Sequence, residues 1–269
     1  MRFFIYRGGR IAYRLTGEGP PLLLLHGMGA NHRLFEPQIP EFSSRFHLIL
    51  PDMRGHGRSS PLPIDFTYEL LAEDMKALLD HLEIPTCDIL GISMGAIVAQ
   101  ALALAHGDRI RRLVLADGYC QPPSRFAGFC YNFSTLVFRI LPIRWIKQLL
   151  TIPFRGSRPG YARTRHLLQR CLTDDRAALL RLKEKPPPDF TRLLHRIQSP
   201  TLVMAGDRLK WELQSSRIIA QNLPDARFAV FHGGCDPLNA MRTAPFNTLV
   251  TAFLDEKPLP SLPGVTFLH

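Results

Sequence analysis

Six short apolar runs constrain this chain more than any other feature: LLLL at 22–25, HLIL at 47–50, CDIL at 87–90, RLVLA at 112–116, TLVMA at 201–205 and FAVF at 228–231. Runs this short and continuous suit strands buried on both faces of a parallel sheet, because a strand with one wet face would alternate. Helical patterns stand between several of them. Leu71, Met75, Leu78, Leu79 and Leu82 recur at helical spacing, after a start near Asp65 or Thr67 and before Pro85, which predicts a crossover helix over 67–82. The Ala- and Leu-rich stretch 94–106, ended by Gly107, predicts a second helix, and 213–222 and 245–255 a third and fourth. This β-α-β alternation points to an α/β fold with a doubly wound, mostly parallel sheet. Ahead of it, alternating segments at 2–7 and 10–15 around Gly8-Gly9 predict an antiparallel hairpin.

More than eighty residues separate the runs at 112–116 and 201–205, far more than an ordinary crossover needs. The expectation is an inserted helical cap over 121–195, with the sheet built from 1–120 and 196–269 as one folding unit of 269 residues. The cap mixes apolar residues such as Phe133, Phe138, Trp145 and Leu149 with basic ones, then returns to the sheet through KEKPPPDF at 183–190. Residues 121–170 hold nine Arg or Lys and no Asp or Glu, supplying most of the net charge of +10. A solvated basic face explains this, as does docking of an acidic carrier protein, an anionic ligand or a membrane surface. No recognition helix, finger or RNP-type pattern accompanies it, so no nucleic-acid partner is expected.

The N-terminus lacks an apolar run of signal-peptide length, and the greasiest stretch, 133–152, is broken by Arg139, Pro142, Arg144 and Lys147, so a cytoplasmic location is expected. Cys87, Cys120, Cys130, Cys171 and Cys235 show no CxxC pairing. That argues against a zinc site or disulfide framework; free thiols, no metal and no cofactor are expected.

The sharpest motif is GISMG, 91–95, between a strand and a helix, the context a G-x-S-x-G nucleophile elbow requires. A turn this tight strains the serine backbone, and glycines on both sides remove side chains that would collide. Ser93 is therefore the candidate nucleophile. The turn after the first parallel strand, HGMG at 26–29, is placed to lend the Met28 N–H to an oxyanion hole, with the Met94 N–H as second donor. His26 reads as structural, and PDMRGHGRSS at 51–60 as a loop braced by its own hydrogen bonds, His56 included.

With these motifs in place, almost the whole chain resembles the α/β-hydrolase superfamily, particularly its small cap-bearing, esterase- and lyase-like members. The resemblance implies a serine acting at a carbonyl, an ester or thioester of a mostly apolar substrate. It also implies a catalytic acid and histidine, and here the chain departs from the pattern. In GDRL, 206–209, Leu209 stands where the family places its acid; in GGCDP, 233–237, Cys235 stands where it places its histidine. A thiol with a reference pKa of about 8.5 does not shuttle protons as imidazole does. The remaining candidates are His232 as base, and Asp117 or Asp207 as acid; Asp236 reads as a loop carboxylate without a role. Such a site is an atypical or degraded triad, suited to hydrolysis through a relocated base or to a non-hydrolytic elimination or cyclisation. The other reading is an inactive member of the fold that binds a ligand.

Overall fold

The computed structural model describes residues 1–121, 135–158, 160–185 and 188–268. Cys130, Phe133, Pro186 and Pro187 lie outside the described residues. Nine strands form one sheet: β1 (Arg2–Tyr6), β2 (Gly9–Thr16), β3 (Pro21–Leu25), β4 (His47–Asp52), β5 (Cys87–Ile92), β6 (Ile110–Ala116), β7 (Thr201–Gly206), β8 (Ala226–Phe231) and β9 (Val265–Leu268). Their order is β1-β2-β4-β3-β5-β6-β7-β8-β9, with β3 to β8 parallel and β1, β2 and β9 joined antiparallel.

Alternation of side chains explains the continuous apolar runs. Leu23 and Leu25 of β3 enter one buried layer while Leu22 and Leu24 enter the other, so both faces of each central strand need apolar groups. The first layer is covered by α1 (Tyr68–His81), α2 (Met94–Ala105) and α6 (Lys210–Asn222), the second by α7 (Thr243–Leu254). Thr67 starts α1 by accepting a hydrogen bond from the Leu70 N–H at 3.0 Å.

Two local expectations shift. The hairpin turn is Arg7-Gly8, both at positive φ (47° and 70°), and Gly9 already belongs to β2. The Arg54 guanidinium occupies the space a Cβ on Gly9 would need, so the glycine at position 9 serves a tertiary contact. Strand β9 has no counterpart among the expected elements; Val265–Leu268 pairs with β8 along the edge of the sheet.

Between β6 and β7 lie α3 (Ile143–Thr151), α4 (Tyr161–Cys171) and α5 (Arg176–Glu184). The Thr173 N–H donates to the Gly29 carbonyl at 2.7 Å, and Leu179 sits where a Cβ on Gly29 would be, so this connection rests directly on the turn after β3.

Candidate active site

Ser93 follows β5 at φ 54° and ψ −116°, a conformation that costs a non-glycine residue of order 1–3 kcal/mol. The neighbouring glycines make it possible. A Cβ on Gly91 would stand 2.5 Å from the Gly95 carbonyl, and one on Gly95 would collide with the backbone of Leu25. The serine backbone is held by its own N–H donating to the Ala116 carbonyl at 2.9 Å, which ties the elbow to the end of β6. Gly27 lies against it, since a Cβ there would be 3.9 Å from the Ser93 Oγ. The turn carrying Met28 thus runs beside the serine. Met94 opens α2, where an N–H has no acceptor within the helix.

That turn is held from behind by two imidazoles. The His56 Nδ1–H donates to the Arg54 carbonyl at 3.1 Å, and its Nε2 accepts the Gly29 N–H at 3.0 Å. In the same way the His26 Nδ1–H donates to Gly27 at 2.9 Å and its Nε2 accepts the Met53 N–H at 3.0 Å. Each ring needs one bare nitrogen, so both are neutral, and burial lowers His26 to about 4 and His56 to about 3.

On the other side of Ser93 stand carboxyls. The Asp236 carboxyl stands beside the Ser93 side chain, which lowers its pKa, while burial, the larger effect, raises it to about 6. Ser93 and Asp236 both keep partial solvent access, whereas Asp117 and Glu212 behind them are buried. Burial first, and Asp236 next, lift Glu212 to about 8. Asp117, at the end of β6 with φ 52°, is raised by burial and then by Asp236 and Glu212. One Asp117 oxygen accepts the Leu238 N–H at 2.8 Å; the other is buried without a hydrogen-bond partner. Packed this closely, Asp117 and Glu212 hold protons at neutral pH while Asp236 is largely ionised.

The structure separates residues that the sequence reading grouped. His232 does not approach Ser93: its Nδ1 meets Asp207 at 2.7 Å and its Nε2 meets Thr266 at 2.8 Å. Thr266 lies on the edge strand, four strand spacings from β5, or about 19 Å. Asp207, bonded to His232 and the Gly233 N–H, is engaged at the same edge. His232 instead lines a cavity of about 780 Å³ with Arg158, Tyr161, Arg163, Met241 and Arg242, a lining that includes neither Ser93 nor Asp236. Leu209 is 41% exposed at the start of α6 and touches no part of this chemistry.

Cys235 and its neighbour Asp236 face different ways. Cys235 turns inward, its Sγ 3.7 Å from the Met241 sulfur, and burial and Glu212 push its thiol up to about 12. The side chain that reaches Ser93 is that of Asp236, next along. A glycine-glycine turn fixes the approximate place, but which residue faces the serine is set by packing against Met241. Glu212 gave no sequence signal, because a glutamate in the first turn of a helix is ordinarily solvated. Asp117 alone of the three acid or base candidates lies within this cluster.

The chain's likeness to known proteins fits this geometry. Residues 20–132 match the family model described as alpha/beta hydrolase fold. RutD of Pseudomonas syringae pv. syringae is 27% identical over 249 residues, 90% of this chain and 96% of that protein. A 2-hydroxymuconate semialdehyde hydrolase of a Pseudomonas species is 29% identical over 257 residues, 90% of this chain and 80% of that one. Among solved structures, a hydrolase from Pseudomonas aeruginosa superposes with a TM-score of 0.82 at 28% identity, covering 94% of this chain and 97% of its own. Parallel core, strained serine after β5 and these relatives agree: the chain has the α/β-hydrolase fold and is similar to members of that superfamily.

Proposed function

We propose that the protein acts at the carbonyl of an ester-like, mostly apolar substrate, with Ser93 as nucleophile and the Asp236 carboxylate in place of a histidine base. The reading rests above all on the placement of the Asp236 carboxyl beside Ser93, in surroundings whose burial raises its pKa to about 6. An ordinary carboxylate is too weak a base to help a serine; one lifted toward neutrality is better matched. As the Ser93 oxygen attacks, Asp236 takes its proton, and the Met28 and Met94 N–H groups hold the tetrahedral oxyanion. The resulting Asp236 acid then protonates the departing alkoxide or thiolate. Water repeats the sequence in reverse to free the acid product and regenerate Ser93. Glu212, still protonated at neutral pH, keeps one negative charge from becoming two beside the reacting serine. The relatives named as hydrolases support the reaction class.

A second reading, ligand binding without turnover, is favoured by one observation: no imidazole hydrogen-bonds Ser93 among the described residues. Labelling with a fluorophosphonate across pH, alongside turnover of a short p-nitrophenyl ester, separates the two. Wild type should label at Ser93, with a rate rising about tenfold on an apparent pKa near 6, the sign expected if the ionised Asp236 is the active form. Asp236→Asn should label at least about 100-fold more slowly. An unlabelled wild type at every pH would establish the binding reading instead.

A further inference from the structure

The face that α3 turns to solvent is apolar at helical spacing. Trp145 and Leu149 stand one turn apart, Ile152 follows three residues on, and all three are exposed, Trp145 by 51%. In the helical turn before, over 135–140, Leu136 and Ile140 repeat the four-residue spacing, and Ile140 is 69% exposed. The opposite side of these helices is already used, because Phe138 and Ile146 pack with Leu179 of α5. The exposed stripe is therefore no core face awaiting a neighbour within the described residues.

Charge says what covers it. Arg139 and Lys147 are neutralised by Glu184 and Asp174. Arg144, Arg155, Arg158 and Arg163 are exposed, and none of the four makes a side-chain hydrogen bond or ion pair among the described residues. No Asp or Glu occurs anywhere in 121–170 to repel an anion.

We infer that this face docks on an anionic lipid surface, with α3 lying in the interface, Trp145, Leu149, Ile152, Leu136 and Ile140 entering the acyl boundary, and free arginines, Arg144 of the same helix first among them, meeting lipid phosphates. An acidic protein would answer the guanidiniums and leave five large apolar side chains against polar ground; a bilayer interface answers both. No helix among the described residues is long and apolar enough to cross a membrane, which restricts the mode to lying on it. Leu179 links the face to the site, since it packs under Phe138 and Ile146 and over Gly29 beside the oxyanion turn. A substrate drawn from the bilayer would enter one helix layer from Ser93.

Flotation with phosphatidylcholine vesicles, with and without about a quarter phosphatidylglycerol, tests this. The full chain should float with the anionic vesicles and at least about tenfold less with neutral ones or in about 0.5 M salt. In a Trp211→Phe background, Trp145 emission should shift to the blue on binding. The combined variant Trp145→Ser, Leu149→Ser, Ile152→Ser should lose at least about tenfold in vesicle binding with an unchanged melting temperature. Ser93→Ala should bind as wild type does, so that failure of the catalytic reading leaves this result standing. Equal binding by the triple variant, no binding of wild type to either vesicle, or a solution dimer that the triple variant dissolves would overturn the inference.

Discussion

Two ends of one sheet edge handle buried polarity in opposite ways. After β3 and β4, each buried charge or ring has a fitted partner: Arg54 forms a two-pronged pair with Asp74 at 2.6 and 2.8 Å, and Asp52 accepts from His32 and Arg58. After β6, β7 and β8, Asp117 and Glu212 are buried beside Asp236, and burial and mutual repulsion raise their pKa values so that they retain protons. The first arrangement makes a rigid support for the turn that carries Met28. The second leaves carboxyls of raised pKa next to Ser93. Scaffold and site are thus told apart by whether polar groups are satisfied.

The two ends also respond oppositely to pH. His26 and His56 stay neutral in the fold, while the unfolded chain takes up protons below about 6.5, so this end loses stability as pH falls from there toward 3. At the carboxyl end the fold keeps protons that the unfolded chain sheds, so stability is lost as pH rises from about 4.5 toward 8. Between these slopes the protein should be most stable in mild acid.

The largest effect is expected from breaking the paired end. Arg54→Ala leaves Asp74 buried and unpaired, and urea unfolding should lose about 3–5 kcal/mol. Next, Asp236→His sets an imidazole against Ser93 with Asp117 and Glu212 behind it. A triad histidine is worth about 10⁶ in turnover in a serine protease, so even a poorly placed ring should raise p-nitrophenyl ester hydrolysis roughly 100-fold. The paired change Leu209→Asp with Cys235→His should give no such gain, because one side chain is exposed and the other is packed on Met241. A gain from the second variant and not the first would restore the register read from sequence. The smallest effect sharpens the pH contrast: Glu212→Gln removes the retained proton and should exceed wild type by about 2 kcal/mol at pH 8 while matching it near pH 4. Unfolding curves that stay parallel across that range would remove the electrostatic account of the carboxyl end.

Much of the fold was legible because its signals are local. Apolar runs fix strands buried on two faces, Thr67 starts α1, and the GISMG glycines permit the strained Ser93 that the structure contains. Strand β9 was missed because it is decided by pairing with β8, distant in sequence, and Gly9 was read as a turn residue although Arg54 is what leaves no room for a side chain there. At the site, Asp117 was legible as an acid closing a strand. His232 was misjudged because Asp207 and Thr266 take both its nitrogens.

By itself, then, the sequence determined the parallel sheet and the elbow, both properties of short segments under backbone sterics and burial. Only the tertiary structure decided that Asp236 and not Cys235 meets Ser93, and that Glu212 is buried beside it. The reason is physical: a carboxyl's basicity depends on the solvent and charges around it, and those are supplied by strands and helices that meet only when the chain has folded.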